Sequence, residues 1–509
     1  MKLSASVSLL GLVLALGGVA QAQPAPQPAP ASGWVLDNVS VVDTRTGRVA
    51  PRRSILIENG RIVRVGTAAA VGGRGLRHVN GGGAFVVPGY NDMHAHPLNP
   101  GSPPGGLQLM LANGITGFRQ MSGSPELLVA RRRGAFAQSD APALLATAST
   151  ILTPPLIAPT PDAVVAEVRR QHEQGADFVK VVAVSPPAFF AGLAEGQRLG
   201  IPLAGHLLPS IDVRQASDRG MRAIEHLGPR EAVLLGCSTQ EAMIRLQISL
   251  QPPPAPPPIT DASGRVLMER ALANPMLLTP PAAYAQFDRV LDTYSADRCR
   301  ELAGHFVRNQ TWQVPTLIRI RTMQFGDDPV YRNDPNLRFI PPRIRQMWLS
   351  LGDEFATRVT PAQHRTLARM FQAQLDLVRL FDQAGVPMMA GSDYGGGWEV
   401  AGYSLHQEFD LLRQAGLTPL RVLQLTTTEP ARFLGREAVM GTVEAGRNAD
   451  LVLLAANPIV STANLHRIRA VVRNGRYFSR GELDRMIATV AQQAREATAM
   501  VAPVEDHVD

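Results

Sequence analysis

A chain of 509 residues, 45% hydrophobic and 18% charged, has the composition of a folded globular protein and excludes a disordered or fibrous one. Its length suits one large domain with a smaller companion. The formal charge of +7 comes from scattered arginines, with Arg131, Arg132 and Arg133 as the one dense cluster, so nucleic-acid binding is not expected.

The elements follow in chain order. Lys2, an apolar run over residues 9–20 and the small-residue stretch Ala20-Gln21-Ala22 predict a signal peptide, residues 1–22, and an exported, periplasmic or secreted protein. The apolar run is too short to span a bilayer comfortably, so no stable membrane span is expected after its removal. Residues 23–32 are rich in Pro, Ala and Gln and read as an extended leader. From Gly33 the pattern is β, with runs at residues 35–42, 54–58 and 61–65 and the hairpin turn Asn59-Gly60. A second β region covers residues 449–454 and 468–472, followed by Asn474-Gly475. These ends predict one composite β-sandwich domain from residues 33–84 plus 437–480.

Between them, residues 85–436 alternate short apolar runs with helical stretches such as 161–174 and 365–384. Strands are expected at 85–87, 115–121, 143–147, 178–182, 201–207, 223–227, 314–318 and 386–392. Eight strand–helix units of this length predict an α/β fold, a (β/α)8 TIM-type barrel. Insertions are expected near 228–313 and 319–360, and residues 481–509 read as a C-terminal helix and tail. Cys237 and Cys299 are the only cysteines; whether they pair is not readable from spacing.

Chemistry concentrates at the ends of the expected strands. In His94-Ala95-His96, alternate residues point the same way, so both imidazoles can reach one ion. Lys180, His206, His226 and Asp393 sit at the ends of four further strands, where a parallel barrel gathers its active site. Lysine occurs only at Lys2 and Lys180, although the chain has 50 Lys and Arg in total. Arginine stays protonated, whereas a lysine amine can add carbon dioxide to become a carbamate, a two-oxygen anion able to bridge two cations. The position of Lys180 inside the apolar run Phe178-Val179-Lys180-Val181-Val182 argues against an idle surface residue.

The segments Val87-Pro88-Gly89-Tyr90-Asn91-Asp92-Met93-His94-Ala95-His96, Gly175-Ala176-Asp177-Phe178-Val179-Lys180, Ile224-Glu225-His226 and Gly391-Ser392-Asp393 resemble the amidohydrolase superfamily, especially its imidazolonepropionase-like and prolidase-like members. The stretch from Gly441 to Val452 resembles that family's C-terminal sheet motif. The resemblance implies a barrel with a composite β-sandwich and two divalent metal ions, with zinc the expected ion. It assigns His94, His96 and Asp393 to the first metal, His206 and His226 to the second, and a bridging N6-carboxylysine to Lys180. Asp393 is then also the proton carrier for a metal-activated water that attacks a substrate carbonyl. Tyr394 and His406 are candidates for substrate contact, while Arg119 and Gln120 are expected to hold structural hydrogen bonds. The implied reaction is hydrolysis of an amide C–N bond in a small-molecule substrate such as a dipeptide or an N-acyl amino acid. A lactone or ester hydrolase, a ring aminohydrolase (deaminase) and an inactive metal-bearing binding protein are the alternatives. A homo-oligomer is compatible with the sequence, which does not decide the assembly state.

Overall fold

The computed structural model describes residues 33–153, 159–228, 230–250 and 269–497. The expected signal peptide and leader, the proline-rich stretch at 252–258 and the last twelve residues lie outside the described residues. The first five strands are β1 (Gly33–Val42), β2 (Val49–Glu58), β3 (Arg61–Gly66), β4 (Arg77–Asn80) and β5 (Phe85–Pro88). They share one sheet with three late strands, β13 (Leu451–Leu454), β14 (Ile468–Arg473) and β15 (Arg476–Ser479), in the order β15-β14-β13-β5-β1-β2-β3, with β4 beside β1. The two ends of the chain meet where β13 runs antiparallel to β5, pairing Val452 with Val87. Alternation along β1 and β2 turns Leu36, Ile55 and Ile57 into one buried cluster with Leu451, Leu453 and Val472.

The remaining strands are parallel and short: β6 (Tyr90–Ala95), β7 (Ile115–Gln120), β8 (Ala143–Thr147), β9 (Val179–Val181), β10 (Leu203–Gly205), β11 (Ala223–Glu225) and β12 (Trp312–Val314). They form two sheets, β6-β7-β8 and β12-β11-β10-β9. Isolated parallel bridges join Ala148 to Phe178, Gln313 to Met388 and Ala95 to Tyr394. Met93, Met121, Leu145, Phe178, Ala204, Ala223, Trp312 and Met389, drawn from all of these segments, pack in one buried cluster. Gly205 is required where β10 crosses close to β9, since a Cβ there would lie 2.1 Å from the Val181 carbonyl oxygen.

Three strand expectations are corrected. Phe85–Pro88 belongs to the composite sheet, and the strand that carries the first histidines is Tyr90–Ala95, buried throughout. Gly89 separates the two, and its backbone approaches Thr116 so closely that a side chain would clash. At residues 314–318 the strand stops at Val314, because Pro315 and Thr316 (φ 43°) turn the chain into the helix Leu317–Gln324. Residues 386–392 form no continuous strand; the bridge at Met388, a second just beyond at Tyr394, and backbone bonds such as Met93 N to the Ala390 carbonyl at 3.0 Å tie the segment to its neighbours.

The helices follow their sequence signals. Thr160 caps Pro161–Gln174, Thr360 and Gln363 form a capping box for Pro361–Gln383, and Ser479 and Glu482 do the same for Arg480–Glu496. The insertion at 319–360 folds largely as helix, including Pro342–Arg358. Cys237 and Cys299 form a disulfide.

The helix Leu317–Gln324 has no side-chain cap of its own; instead Glu408 Oε2 accepts a hydrogen bond from Ile318 N at 2.8 Å. Glu408 is fully buried, its Oε1 has no hydrogen-bond partner among the described residues, and burial pushes its carboxyl up to about 8. A raised carboxyl binds its proton more tightly in the folded state, so its contribution to stability declines as pH rises from about 4.5 to about 8, at up to about 1.4 kcal/mol per pH unit. Glu408→Gln keeps an acceptor for Ile318 and removes the titration. Its stability relative to the parent protein should therefore improve between pH 5 and pH 8 in urea unfolding; a difference that stays flat with pH would contradict this.

Candidate metal centre

Each side chain in the cluster is delivered by one of the parallel strands or by the bridged segment beside them. His94 sits in β6 with His96 just beyond it, Lys180 is central in β9, and His206 and His226 follow β10 and β11 directly. Asp393 follows the bridged segment at Met388, with its backbone N–H bonded to the His94 carbonyl at 2.7 Å. Gly391 lets that segment close on β6, since a Cβ there would lie 2.7 Å from the His94 Cβ. His226 (φ 58°), Asp393 (φ 56°) and Thr316 (φ 43°) all adopt left-handed backbone conformations. Such conformations cost about 1–3 kcal/mol each and collect where function fixes side-chain direction.

Three of the four imidazoles share one arrangement. His94 Nδ1 is 2.6 Å from Glu225 Oε2, His96 Nδ1 is 2.8 Å from Ser122 Oγ, and His226 Nδ1 is 2.6 Å from Thr316 Oγ1. With these three Nδ1 atoms engaged, their Nε2 atoms turn to Asp393. His94 Nε2 and His96 Nε2 each lie 3.0 Å from Oδ1, and His226 Nε2 lies 3.9 Å from Oδ2. His94 Nε2 is buried and, despite its closeness to Asp393, lacks the alignment of a hydrogen bond and has no hydrogen-bond partner among the described residues. An orphaned imidazole nitrogen beside a carboxylate fits a divalent ion, which needs both lone pairs at once.

His94, His226 and Asp393 form the tightest trio, their ligand atoms all within 4.8 Å of one another. That trio draws from both of the ligand sets expected from sequence. The His206 ring is 4.9 Å from that of His226. Lys180 is buried and close enough to Glu225, Asp393 and Arg119 to feel their charges. Burial lowers its ammonium to about 8; Glu225 and Asp393 oppose that shift and Arg119 adds to it. Burial also holds His206 and His226 well below the usual histidine range. For Asp393 burial acts upward, but the neighbouring His94 and His226 outweigh it and keep the carboxyl well below its ordinary value.

The structure therefore brings together His94, His96, Lys180, His206, His226 and Asp393. It does not bring Tyr394 or His406 to them. Tyr394 is buried with its ring against Gly106. His406 lies in the buried face of the helix Tyr403–Gln414, with Nε2 2.9 Å from the Asn113 carbonyl. Asn113 precedes β7, at the opposite end of the strands from His94. The His406 imidazole is buried, and that burial pushes it down to about 3 and keeps it neutral.

Other residues enter the site without having been singled out for it. Arg319, on the turn of helix that replaces the expected strand, places Nε 3.2 Å from Asp393 Oδ2 and Nη1 3.5 Å from Glu399 Oε1. Glu225 accepts from both His94 and Arg119, and Ser122 and Thr316 hold the other two rings. The sequence signal for Glu225 was its place beside His226; for Arg319 there was none, because its reach depends on the Thr316 turn.

Residues 372–478 match the amidohydrolase family. No curated protein matches the chain. Among solved structures, bottromycin amidohydrolase is similar at 23% identity, over 92% of this chain and 91% of that one, with a TM-score of 0.65. A putative prolidase from Bifidobacterium longum is similar at 18% identity, over 91% and 100%, with a TM-score of 0.59. The A. niger ochratoxinase is similar at 15% identity, over 89% and 96%, with a TM-score of 0.56. At these identities the likeness is one of fold.

Proposed function

We propose that this chain, an amidohydrolase by the match of residues 372–478 and by the fold it shares, is an exported metal-dependent hydrolase of amide C–N bonds in small molecules. One observation carries the reading: three histidines have Nδ1 tied elsewhere and Nε2 turned to a single carboxylate. His94, His96 and Asp393 would hold one ion and His206 and His226 a second, with carboxylated Lys180 as the shared ligand. Zinc suits imidazole and carboxylate donors. The three isolated bridges and the common buried cluster support a closed (β/α)8 barrel beside a composite β-sandwich. The disulfide agrees with export, because such bonds persist in oxidising compartments. Among the described residues no helix is long and apolar enough to cross a membrane.

The lysine step balances simply. The neutral amine of Lys180 adds to the carbon of CO2, forming an N–C bond, and releases a proton to solvent. Burial favours this by making the neutral amine accessible near pH 8.

A bound pair of divalent ions supplies a water of lowered pKa and polarises the substrate carbonyl. Asp393 then has two jobs on two oxygens. Oδ1, which faces His94 and His96, is the ligand oxygen; Oδ2, beside Arg319, takes the proton from the attacking water and returns it to the leaving nitrogen. Arg319, itself held by Glu399 and by the Leu272 carbonyl at 2.6 Å, keeps that oxygen oriented. Dipeptides and N-acyl amino acids are the proposed substrate class, in line with neighbours named as amidohydrolase and prolidase.

Elemental analysis of purified protein, beside hydrolysis assays on dipeptides, N-acyl amino acids and lactones, tests the reading. Two divalent ions per chain are expected, with amide hydrolysis lost to chelator and restored by zinc. Turnover of the panel that is indifferent to chelator, or no turnover by ion-loaded protein, would overturn it.

A further inference from the structure

Behind the ligand cluster three buried groups stand in line. Glu225 Oε2 is 2.6 Å from His94 Nδ1, and Glu225 Oε1 is 2.6 Å from Arg119 Nη2. The second anchor of Arg119 is its Nε, which donates to the Met93 carbonyl oxygen at 2.7 Å. Its guanidinium also lies 5.3 Å from the Phe178 ring centroid and 5.2 Å from that of Phe433. All three side chains are 1% exposed or less. Desolvating a carboxylate and a guanidinium is costly, and an apolar pair would fill the same space without that cost. Neither group takes part in the proton transfer assigned to Asp393. The charge pair therefore calls for a role other than packing.

We propose that Arg119 and Glu225 are positioning residues for His94, Arg119 fixing the Glu225 carboxylate and Glu225 fixing the imidazole so that its bare Nε2 faces the metal. The inference rests on reading the cluster as a metal centre.

The chemistry of the groups makes this specific. A neutral imidazole offers a lone pair on one nitrogen only when its proton sits on the other. The Glu225 carboxylate accepts hydrogen bonds, so the His94 nitrogen facing it carries the proton and Nε2 is left free. Arg119 only donates, so it occupies the second carboxylate oxygen and stops the group turning away.

Glu225→Gln has almost the same shape but one acceptor in place of two. If its amide oxygen stays with Arg119, its NH2 faces His94 Nδ1 and favours the tautomer with the proton on Nε2, which cannot ligate. If the oxygen turns to His94, the NH2 meets the Arg119 donors. Removing Arg119 as well resolves the conflict, because the amide oxygen is then free to face His94.

The measurement is zinc affinity by competition with a chromophoric chelator, alongside thermal melting of the metal-free proteins. Glu225→Gln should bind zinc about 10–100-fold more weakly than the parent protein, the range seen when such supporting partners are lost. Arg119→Met/Glu225→Gln should bind zinc more tightly than Glu225→Gln alone, although it lacks one more native group. Arg119→Lys should lose less than Arg119→Met, and that pair decides the matter if Glu225→Gln does not fold.

Parent-like affinity in Glu225→Gln, or a double variant weaker than Glu225→Gln, would overturn the inference while leaving the metal centre standing. So would equal losses in Arg119→Lys and Arg119→Met. A parent protein that binds no zinc would overturn the metal reading itself, and this inference with it.

Discussion

Lys180→Arg is expected to bind at most one ion per chain and to lose about a thousandfold in kcat/KM, since one ion contributes several kcal/mol of transition-state stabilisation and about 4 kcal/mol is a factor of a thousand. The substitution keeps the positive charge of the unmodified residue and removes only its chemistry. Lys180 is central in β9, paired in register with Ala204 on β10, and 2% exposed. Burial there lowers its ammonium to about 8, leaving a neutral amine to add CO2, whereas a guanidinium stays protonated. The arginine would also sit close to Arg119, adding a further buried guanidinium beside the one that Glu225 neutralises. Metal content and steady-state kinetics, with a melting curve to verify folding, report the outcome. A Lys180→Arg protein that keeps both ions and full turnover would rule out the bridge.

Asp393→Asn should lower kcat by about 10²–10⁴-fold, the usual contribution of a general acid–base group, with a smaller change in KM. Asparagine is the informative choice at this position. The backbone there has φ 56°, a conformation that Asn tolerates about as well as Asp, so the strand end should hold its shape. What changes is the anion between His94, His96 and Arg319, and the oxygen that carries the proton. Single-turnover measurements on a chromogenic N-acyl amino acid separate this loss from weaker binding. Parent-like kcat in Asp393→Asn would mean that another group moves the proton.

Part of this site was legible because its signals are local. The spacing His94-x-His96, the lone lysine of the barrel region in an apolar run, and single histidines after expected strands can all be read without a fold. The composite sheet was legible for a similar reason, since its turns Asn59-Gly60 and Asn474-Gly475 mark hairpins by residue type. What was not legible depends on closure in space. Glu225 is 131 residues from His94, and nothing in the Ile224-Glu225-His226 segment says whose ring it holds. Arg319 reaches Asp393 only because Pro315 and Thr316 end a strand that hydropathy alone would continue through Ile318. The second strand beyond Gly89 was hidden because Asn91, Asp92 and His94 break any apolar run there, and strand pairing, not composition, divides Phe85–Pro88 from Tyr90–Ala95. His406 shows the converse, a histidine whose pattern suggests chemistry but whose helix turns it into the core.

The most direct test of the central claim is anomalous diffraction at the zinc edge from crystals of the zinc-loaded protein. The account predicts two peaks about 3.5–4 Å apart, one against His94, His96 and Asp393 and one against His206 and His226, with carboxylated Lys180 between them. A single peak inside the His94, His226 and Asp393 trio, with an unmodified Lys180 amine, would contradict it.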